Sequence, residues 1–452
     1  MLKRKITQKL EIWKRNSKKT LLVTGARQIG KSYAIREFGK AHYASFVEVN
    51  LLLNKDARDA LANARNAMDF INRVALFSKV PLVEGNTLLF IDEIQEYPDI
   101  VTLIKGLVED GRYSYAFSGS MLGTEFKGIS SFPVGFVDQY VMRPMDFEEF
   151  CWAIGIEEHY LDEIRTCCIE RRPVDPYLHD AMAKNFRAYV VAGGMPEVVQ
   201  NYVDTGYSLV STRHLQAELV TQYAQDISKY ADARAFEVRS IFDQIPVQLE
   251  DDPRRFVFSA LKKGARFDTY HYDFLWLVNA GVGLMVPQVT EAKSPLKRTE
   301  QASRFKLYQS DTGMLVSRYA QSAARAIYLD KKDPNLGGLY ENVVAQELVA
   351  HGIKPWYYQS DAVGEIDFVI EGPYGTVVPI EVKSGKKIRA HAALDHLLGV
   401  KNYKIRTPIV MSRNNLEEEG GILYLPFYMS SCLDEFVEQG SDEFVFAPSM
   451  PL

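Results

Sequence analysis

The residues best equipped for chemistry lie between Gly25 and Ser32, where Gly25-Ala26-Arg27-Gln28-Ile29-Gly30-Lys31-Ser32 follows the apolar run Leu21-Leu22-Val23. A loop that wraps a triphosphate must turn sharply and offer successive backbone N–H groups to anionic oxygens, which calls for glycine at 25 and 30. A helix opening near Lys31 would aim its N-terminal dipole at the same phosphates. The G-x-x-x-x-G-K-S spacing between strand and helix predicts an ATP site formed by Gly25, Ala26, Arg27, Gln28, Ile29, Gly30, Lys31, Ser32 and Tyr33. In it Lys31 reaches the β/γ oxygens and the Ser32 hydroxyl ligates Mg²⁺.

Thr87-Leu88-Leu89-Phe90-Ile91-Asp92-Glu93 reads as a buried parallel strand ending in two carboxylates. Ligands of an open α/β sheet sit at the carboxyl ends of its strands, so this pair is expected beside the phosphate loop. Asp92 is expected to hold Mg²⁺, and Glu93 to orient and deprotonate the attacking water. The alternative is a capping pair at a strand end. A further strand, Tyr113–Phe117, runs into Ser118-Gly119-Ser120. Either Ser118 or Ser120 is placed to sense the γ-phosphate, or they cap the next turn.

A second constellation lies near the other end. Glu365-Ile366-Asp367-Phe368-Val369-Ile370 and Val377-Val378-Pro379-Ile380-Glu381-Val382-Lys383 read as two strands joined by a hairpin at Gly372-Pro373-Tyr374-Gly375. Alternation puts Glu381 and Lys383 on one face, and the hairpin brings Asp367 to them. Two acids and a lysine are the parts of a metal-dependent phosphodiester hydrolase, with Glu341 on a preceding helix as a further oxygen ligand. Such a donor set suits Mg²⁺ or Mn²⁺. The competing reading is a solvated strand face.

Positioning these groups needs several domains, since the chain has 452 residues. Alternating strands and helices, including Phe46–Asn50, fill residues 1–145 as a nucleotide-binding core. Helical periodicity starting at Asp146 marks 146–232 as a helical lid. Amphipathic helices followed by Gly283–Val286 and Phe305–Tyr308 suggest a winged-helix-like domain over 233–325, or a plain helical connector with a hairpin. Residues 326–452 form a C-terminal α/β domain, opened by a helix from Gly337 with Val343, Val344 and Leu348 on one face. With 47% hydrophobic and 25% charged residues, the composition is that of a globular protein. No run approaches ~20 apolar residues, so no membrane association is expected. Cys151, Cys167, Cys168 and Cys432 lack metal-ligand spacing and read as reduced thiols of a cytoplasmic protein. Net charge is −5, yet residues 1–40 carry twelve Lys/Arg against two Glu. That basic segment either steers nucleic acid or is a solvated helix.

These motifs, with Arg143-Pro144-Met145-Asp146-Phe147-Glu148-Glu149-Phe150, Gly193-Gly194-Met195-Pro196-Glu197 and Lys306-Leu307-Tyr308-Gln309-Ser310-Asp311, resemble the prokaryotic AAA-type ATPases that carry a C-terminal domain of unknown function. The resemblance implies an α/β multidomain protein. Its parts would be a P-loop additional-strand parallel sheet, a helical lid, a winged helix and a restriction-endonuclease-like (PD-(D/E)xK) α/β domain. Gly194-Met195-Pro196 is similar to the G-x-P signature of signal-transduction ATPases, which packs the lid near the nucleotide. Members usually carry Gly-Arg where this chain has Gly135-Phe136, leaving Arg112 and Arg143 as substitutes for a γ-phosphate arginine. The expected function is ATP hydrolysis with Mg²⁺ that drives or switches interdomain rearrangement in a DNA-related process. The alternatives are an ATP-gated metal-dependent nuclease and a non-catalytic regulatory scaffold. Expected partners are ATP, DNA, and a protein partner or a second copy.

Overall fold

The structure, a computed structural model, describes residues 2–120, 133–251, 254–331, 337–385 and 387–437. The outermost expected domain limits, 1 and 452, lie outside the described residues. The strands β1 (Thr20–Gly25), β2 (Ser45–Asn50), β3 (Thr87–Asp92), β4 (Ser114–Ser120) and β5 (Val137–Met142) form one parallel sheet in the order β2-β3-β4-β1-β5. β4 is the expected additional strand, inserted between β1 and β3. This order gathers the carboxyl ends of β1, β3 and β4 at one edge, where the candidate phosphate-binding residues are. β1 and β3 are buried along their whole length, as their unbroken apolar runs require. The edge strand β5 is half-exposed and carries Asp138 and Gln139, so its sequence gave little strand signal.

Helices then dominate, as expected, from Phe147–Ala153 through Pro176–Ala192 and Pro196–Asp204 to the long Leu209–Tyr230. Asp146 caps the first of them, accepting from the Glu149 N–H at 2.9 Å. Two more helices, Ala235–Glu250 and Phe267–Asn279, lead into the hairpin β6 (Gly283–Val289) and β7 (Glu300–Gln309).

That hairpin is not a free wing. β6 pairs in parallel with β8 (Trp356–Ser360) at Gln288 opposite Tyr357 and Val289 opposite Tyr358. β9 (Gly364–Gly372), β10 (Thr376–Val382), β11 (Ile409–Ser412), β12 (Glu417–Glu419) and β13 (Ile422–Pro426) complete one mixed sheet ordered β12-β13-β11-β10-β9-β8-β6-β7. The limit expected between 325 and 326 therefore cuts through a single hydrogen-bonded sheet. The β9–β10 hairpin and its Pro373–Gly375 turn are present as expected. The helix Gly337–Ala350 is buried on every face from Gly338 to Leu348, not along one stripe. It passes between β7, the helix Thr312–Ser317 and the last turn-rich segment, Phe427–Phe436. One core joins Leu21 and Ile35 to Tyr189, Phe242, Phe368 and Leu425, so the nucleotide-side and C-terminal sheets share packing. Among the described residues no helix is long and apolar enough to cross a membrane.

Candidate functional site

Gly25 ends β1 with φ +144°, and a Cβ there would come within 2.3 Å of the Met142 carbonyl oxygen. Gly30, at φ +88°, precedes the helix Lys31–His42. Both glycines thus occupy backbone conformations that other residues rarely adopt. Lys31 is buried and donates to the carbonyls of Gly25 (3.1 Å) and Ala26 (2.8 Å). Burial pulls its ammonium down to about 8, against the upward pull of Glu93 and Asp92. Ser32 follows, half-buried, and Tyr33 faces outward.

Across the sheet edge Asp92 is nearly inaccessible and fully partnered. Its Oδ1 accepts from the Glu93 N–H at 3.0 Å and from the Ser118 hydroxyl, and its Oδ2 accepts from Asn50 Nδ2 at 2.9 Å. These neutral donors fix the carboxylate without cancelling its charge, so the oxygen set of Ser32 and Asp92 fits Mg²⁺. Held there, such an ion would supply positive charge to offset that of a bound triphosphate. Glu93 stands in the left-handed region at φ +58°, a conformation that costs of order 1 kcal/mol and turns its side chain out of the strand. Its Oε2 accepts from Gln95 Nε2. Ser118 is tied to Asp92, whereas Ser120 is level with Gly25 in the β1–β4 register. Asn50 escaped the sequence reading. Only the pairing of β2 with β3 puts it opposite Asp92.

The loop is also held by residues far away in the chain. Arg4 donates to the Ile29 carbonyl (3.0 Å) and the Arg143 carbonyl (2.8 Å) and pairs with Glu149 (3.0 Å). From the helix Leu209–Tyr230, Asp226 pairs with Arg27 at 2.6 Å and the Tyr223 hydroxyl donates to the Arg27 carbonyl at 2.7 Å. Gly281 presses on the loop so closely that a Cβ there would lie 3.0 Å from the Ala26 Cβ. A cleft of about 660 Å³ opens alongside, lined by Arg4, Gln28, Gly30, Tyr33, Phe38 and Pro196. Gly194-Met195-Pro196 thus borders the nucleotide side, as the resemblance implied.

Phe136 precedes β5, and its carbonyl accepts from the Thr20 N–H at 3.0 Å, at the end of the sheet opposite Gly25. Arg112 precedes β4 at that same far end and pairs with Asp110. Neither position borders the loop. Arg143, just after Met142, does.

The 193–196 loop is clasped by Asp311. This buried carboxylate accepts from the N–H groups of Gly194 (2.5 Å) and Met314 (2.9 Å), and also from those of Met195 and Gly313. Burial pushes it up to about 6, while the amides pull it down. Beside it the Tyr189 hydroxyl bridges Gln346 (2.7 Å) and Glu347 (2.7 Å), and Glu347 also accepts from the Phe147 N–H at 3.1 Å.

The C-terminal residues converge, but around a lysine. Lys306, wholly buried on β7, lies 2.7 Å from Glu365, 3.2 Å from Glu341 and 3.6 Å from Asp367. Glu341 also pairs with Arg254 (2.7 Å) and accepts from the Tyr308 hydroxyl (2.9 Å). Glu381 pairs with Lys383 at 3.1 Å, and Asp367 accepts from the Val382 N–H at 2.8 Å. Burial and the neighbouring Glu381 carboxylate push Asp367 up to about 6. With a fixed cation already among its acids, this set does not fit the metal expected of Glu341, Asp367, Glu381 and Lys383.

Among the described residues one group of three potential ligands, Asp146, Glu148 and His351, does gather tightly enough for a metal ion. Lys5 sits on it too, 2.6 Å from Asp146 and 2.5 Å from Glu148. Lys3 pairs with Glu158 (2.9 Å) and Lys19 with Asp138 (3.3 Å), so much of the basic segment is used internally.

Residues 17–151 match the AAA domain family. Residues 183–324 and 336–428 match two domains of unknown function, DUF8612 and DUF4143. No curated protein matches the chain. Similar solved structures include the Walker-type ATPase paby2304 of Pyrococcus abyssi, 14% identical over 71% of this chain and 96% of that one, with a TM-score of 0.43. Cdc6p from Pyrobaculum aerophilum is 13% identical over 72% of this chain and 93% of its own, at 0.25. Drosophila ORC bound to DNA is 11% identical over 70% and 91%, at 0.24. Likenesses this distant transfer no residue roles.

Proposed function

We propose that this chain, whose residues 17–151 form an AAA-type ATPase domain, binds ATP with Mg²⁺ at the Gly25–Ser32 loop and hydrolyses it to reset its interdomain contacts. Lys31 would neutralise the β/γ oxygens, Ser32 and Asp92 would hold the ion, and Glu93 would orient and deprotonate water. Ser118 acts through Asp92, Ser120 is the residue placed at the loop, and Arg143 is the arginine on that side. The observation that carries the switching role is the grip of distant segments on the loop: Asp226 and Tyr223 on Arg27, and Gly281 on Ala26. A nucleotide that displaces the loop must displace them as well.

The DNA-related reading leaned on the basic segment, the wing and the acid cluster, each of which has an intramolecular role here. DNA therefore enters as a variable of the test. ATP turnover is measured for the parent, Lys31→Ala and Glu93→Gln, with and without single-stranded, duplex and branched DNA. Lys31→Ala should lose ATP binding. Glu93→Gln should bind ATP yet turn over at least ~10²-fold more slowly. Unchanged turnover in Glu93→Gln would remove it as the base, and stimulation by one DNA form would restore DNA as partner.

A further inference from the structure

Lys306 is a charged residue in the buried second half of β7, between Phe305 and Leu307, and it is completely shielded from solvent. A buried ammonium is tolerated only where carboxylates and hydrogen bonds repay its lost hydration. Here three acids from two separate elements do so: Glu341 from the helix Gly337–Ala350, and Glu365 and Asp367 from β9.

We propose that Lys306 is the resident cation of the C-terminal carboxylate cluster, so that this cluster is an ionic lock fastening β7 to β9 and the Gly337–Ala350 helix and takes no divalent metal while the lysine is in place. Three arguments converge. The ammonium lies within 3.6 Å of each of the three acids, in the space a shared metal would need. Its strand is hydrogen-bonded to β6 with Lys306 opposite Val286, and the side chain is completely shielded from solvent, so moving the ammonium out requires the packing around it to open. The charges are also nearly spent: Glu341, Glu365, Asp367 and Glu381 face Lys306, Lys383 and Arg254, leaving little negative charge for a divalent ion. Lys5 on Asp146 and Glu148 repeats the arrangement at the other candidate metal group. This inference stands apart from the ATPase reading, since it concerns the far sheet and needs no nucleotide.

Mn²⁺ titration of the full chain without nucleotide, followed by electron paramagnetic resonance, tests it. The parent and Asp367→Asn should take up equal Mn²⁺, because any uptake at Ser32 and Asp92 is common to both. Lys306→Ala should gain one site, at least tenfold tighter than anything in the parent, that disappears in Lys306→Ala/Asp367→Asn. Lys306→Gln, which keeps most of the side-chain volume, serves if the alanine variant does not fold. The melting temperature of Lys306→Gln should rise further with millimolar Mn²⁺ than that of the parent does. Asp367-dependent Mn²⁺ uptake by the parent would overturn the proposal, as would failure of the folded lysine variants to gain a site.

Discussion

Lys31 offers the sharpest test of the nucleotide site, because it must be charged to hold a triphosphate and burial works against that charge. Its ammonium titrates near 8 instead of its ordinary 10.5, with burial the largest cause and Glu93 and Asp92 opposing it. Phosphate oxygens would favour the charged form and return the pKa towards its ordinary value. Binding is then linked to proton uptake, and the apparent dissociation constant scales as 1 + 10^(pH − pKa). The Mg²⁺-nucleotide should bind about twofold more weakly at pH 8 than at pH 6.5, and about tenfold more weakly at pH 9. Calorimetry in buffers of different ionisation enthalpy should count uptake of about half a proton at pH 8 and about 0.9 at pH 9. Lys31→Arg supplies the control, since a guanidinium does not titrate in this range and whatever binding remains should be flat with pH. The same shift has an opposite sign for stability without nucleotide. A depressed lysine pKa penalises the fold: the cost is full below pH 8, shrinks as pH rises from 8 to 10.5, and is gone above 10.5. Constant affinity from pH 7 to 9.5, with no buffer dependence of the heat, would refute the burial argument for this lysine.

Two further outcomes follow from contacts that reach the loop from a distance. Asp311→Asn should lower stability by about 3 kcal/mol, because charge-assisted bonds from four backbone amides weaken and an amide NH₂ is turned against some of them. Thermal melts read the loss, and an unchanged midpoint would deny Asp311 its clasping role. Gly281→Ala forces a Cβ to within 3.0 Å of the Ala26 Cβ at φ +70°, adding ~1–2 kcal/mol of backbone strain. A fluorescent ATP analogue should bind it at least several-fold more weakly, and parental affinity would show that this contact does not constrain the loop.

What was legible in the chain is what local pattern encodes. The strand, loop and helix around Lys31 needed only an apolar run, two glycines and fixed spacing, and Asp92 and Glu93 needed only the end of a second run. The β9–β10 hairpin was equally local, with its turn residues between two apolar strands. Contacts made across long separations were not legible. Asn50 meets Asp92 through sheet order, and Tyr223, Asp226 and Gly281 reach the loop from about 200 residues away or more. The Gly337–Ala350 helix was expected to bury one face, with Val343, Val344 and Leu348, because the sequence alone does not show that every face of it packs. Lys306 entered the sequence reading only as part of the Phe305–Tyr308 strand and the Lys306–Asp311 motif. Its burial becomes reasonable only once Glu341, Glu365 and Asp367 are folded around it.

The stretch from Lys306 to Asp311 then acquires a physical reason for its residue types. Lys306 and Tyr308, two positions apart on β7, both reach Glu341, at 3.2 and 2.9 Å. Gln309 exchanges backbone bonds with the side chain of Asn342, at 2.7 and 3.0 Å, and so pins the end of the strand to the same helix. Just past that end Asp311 turns to the amides of Gly194 and Met195, next to Pro196 at the cleft beside the Gly25–Ser32 loop. One short segment is therefore bonded to the C-terminal acids at its start and to the nucleotide-side loop at its finish. Because the bonds at both ends are buried and charge-assisted, stretching either is costly, and the cheaper response to a shift of Pro196 is for β7 and the Gly337–Ala350 helix to move with it. On this geometry, interdomain rearrangement would carry the C-terminal sheet along as a body, with its ionic lock closed.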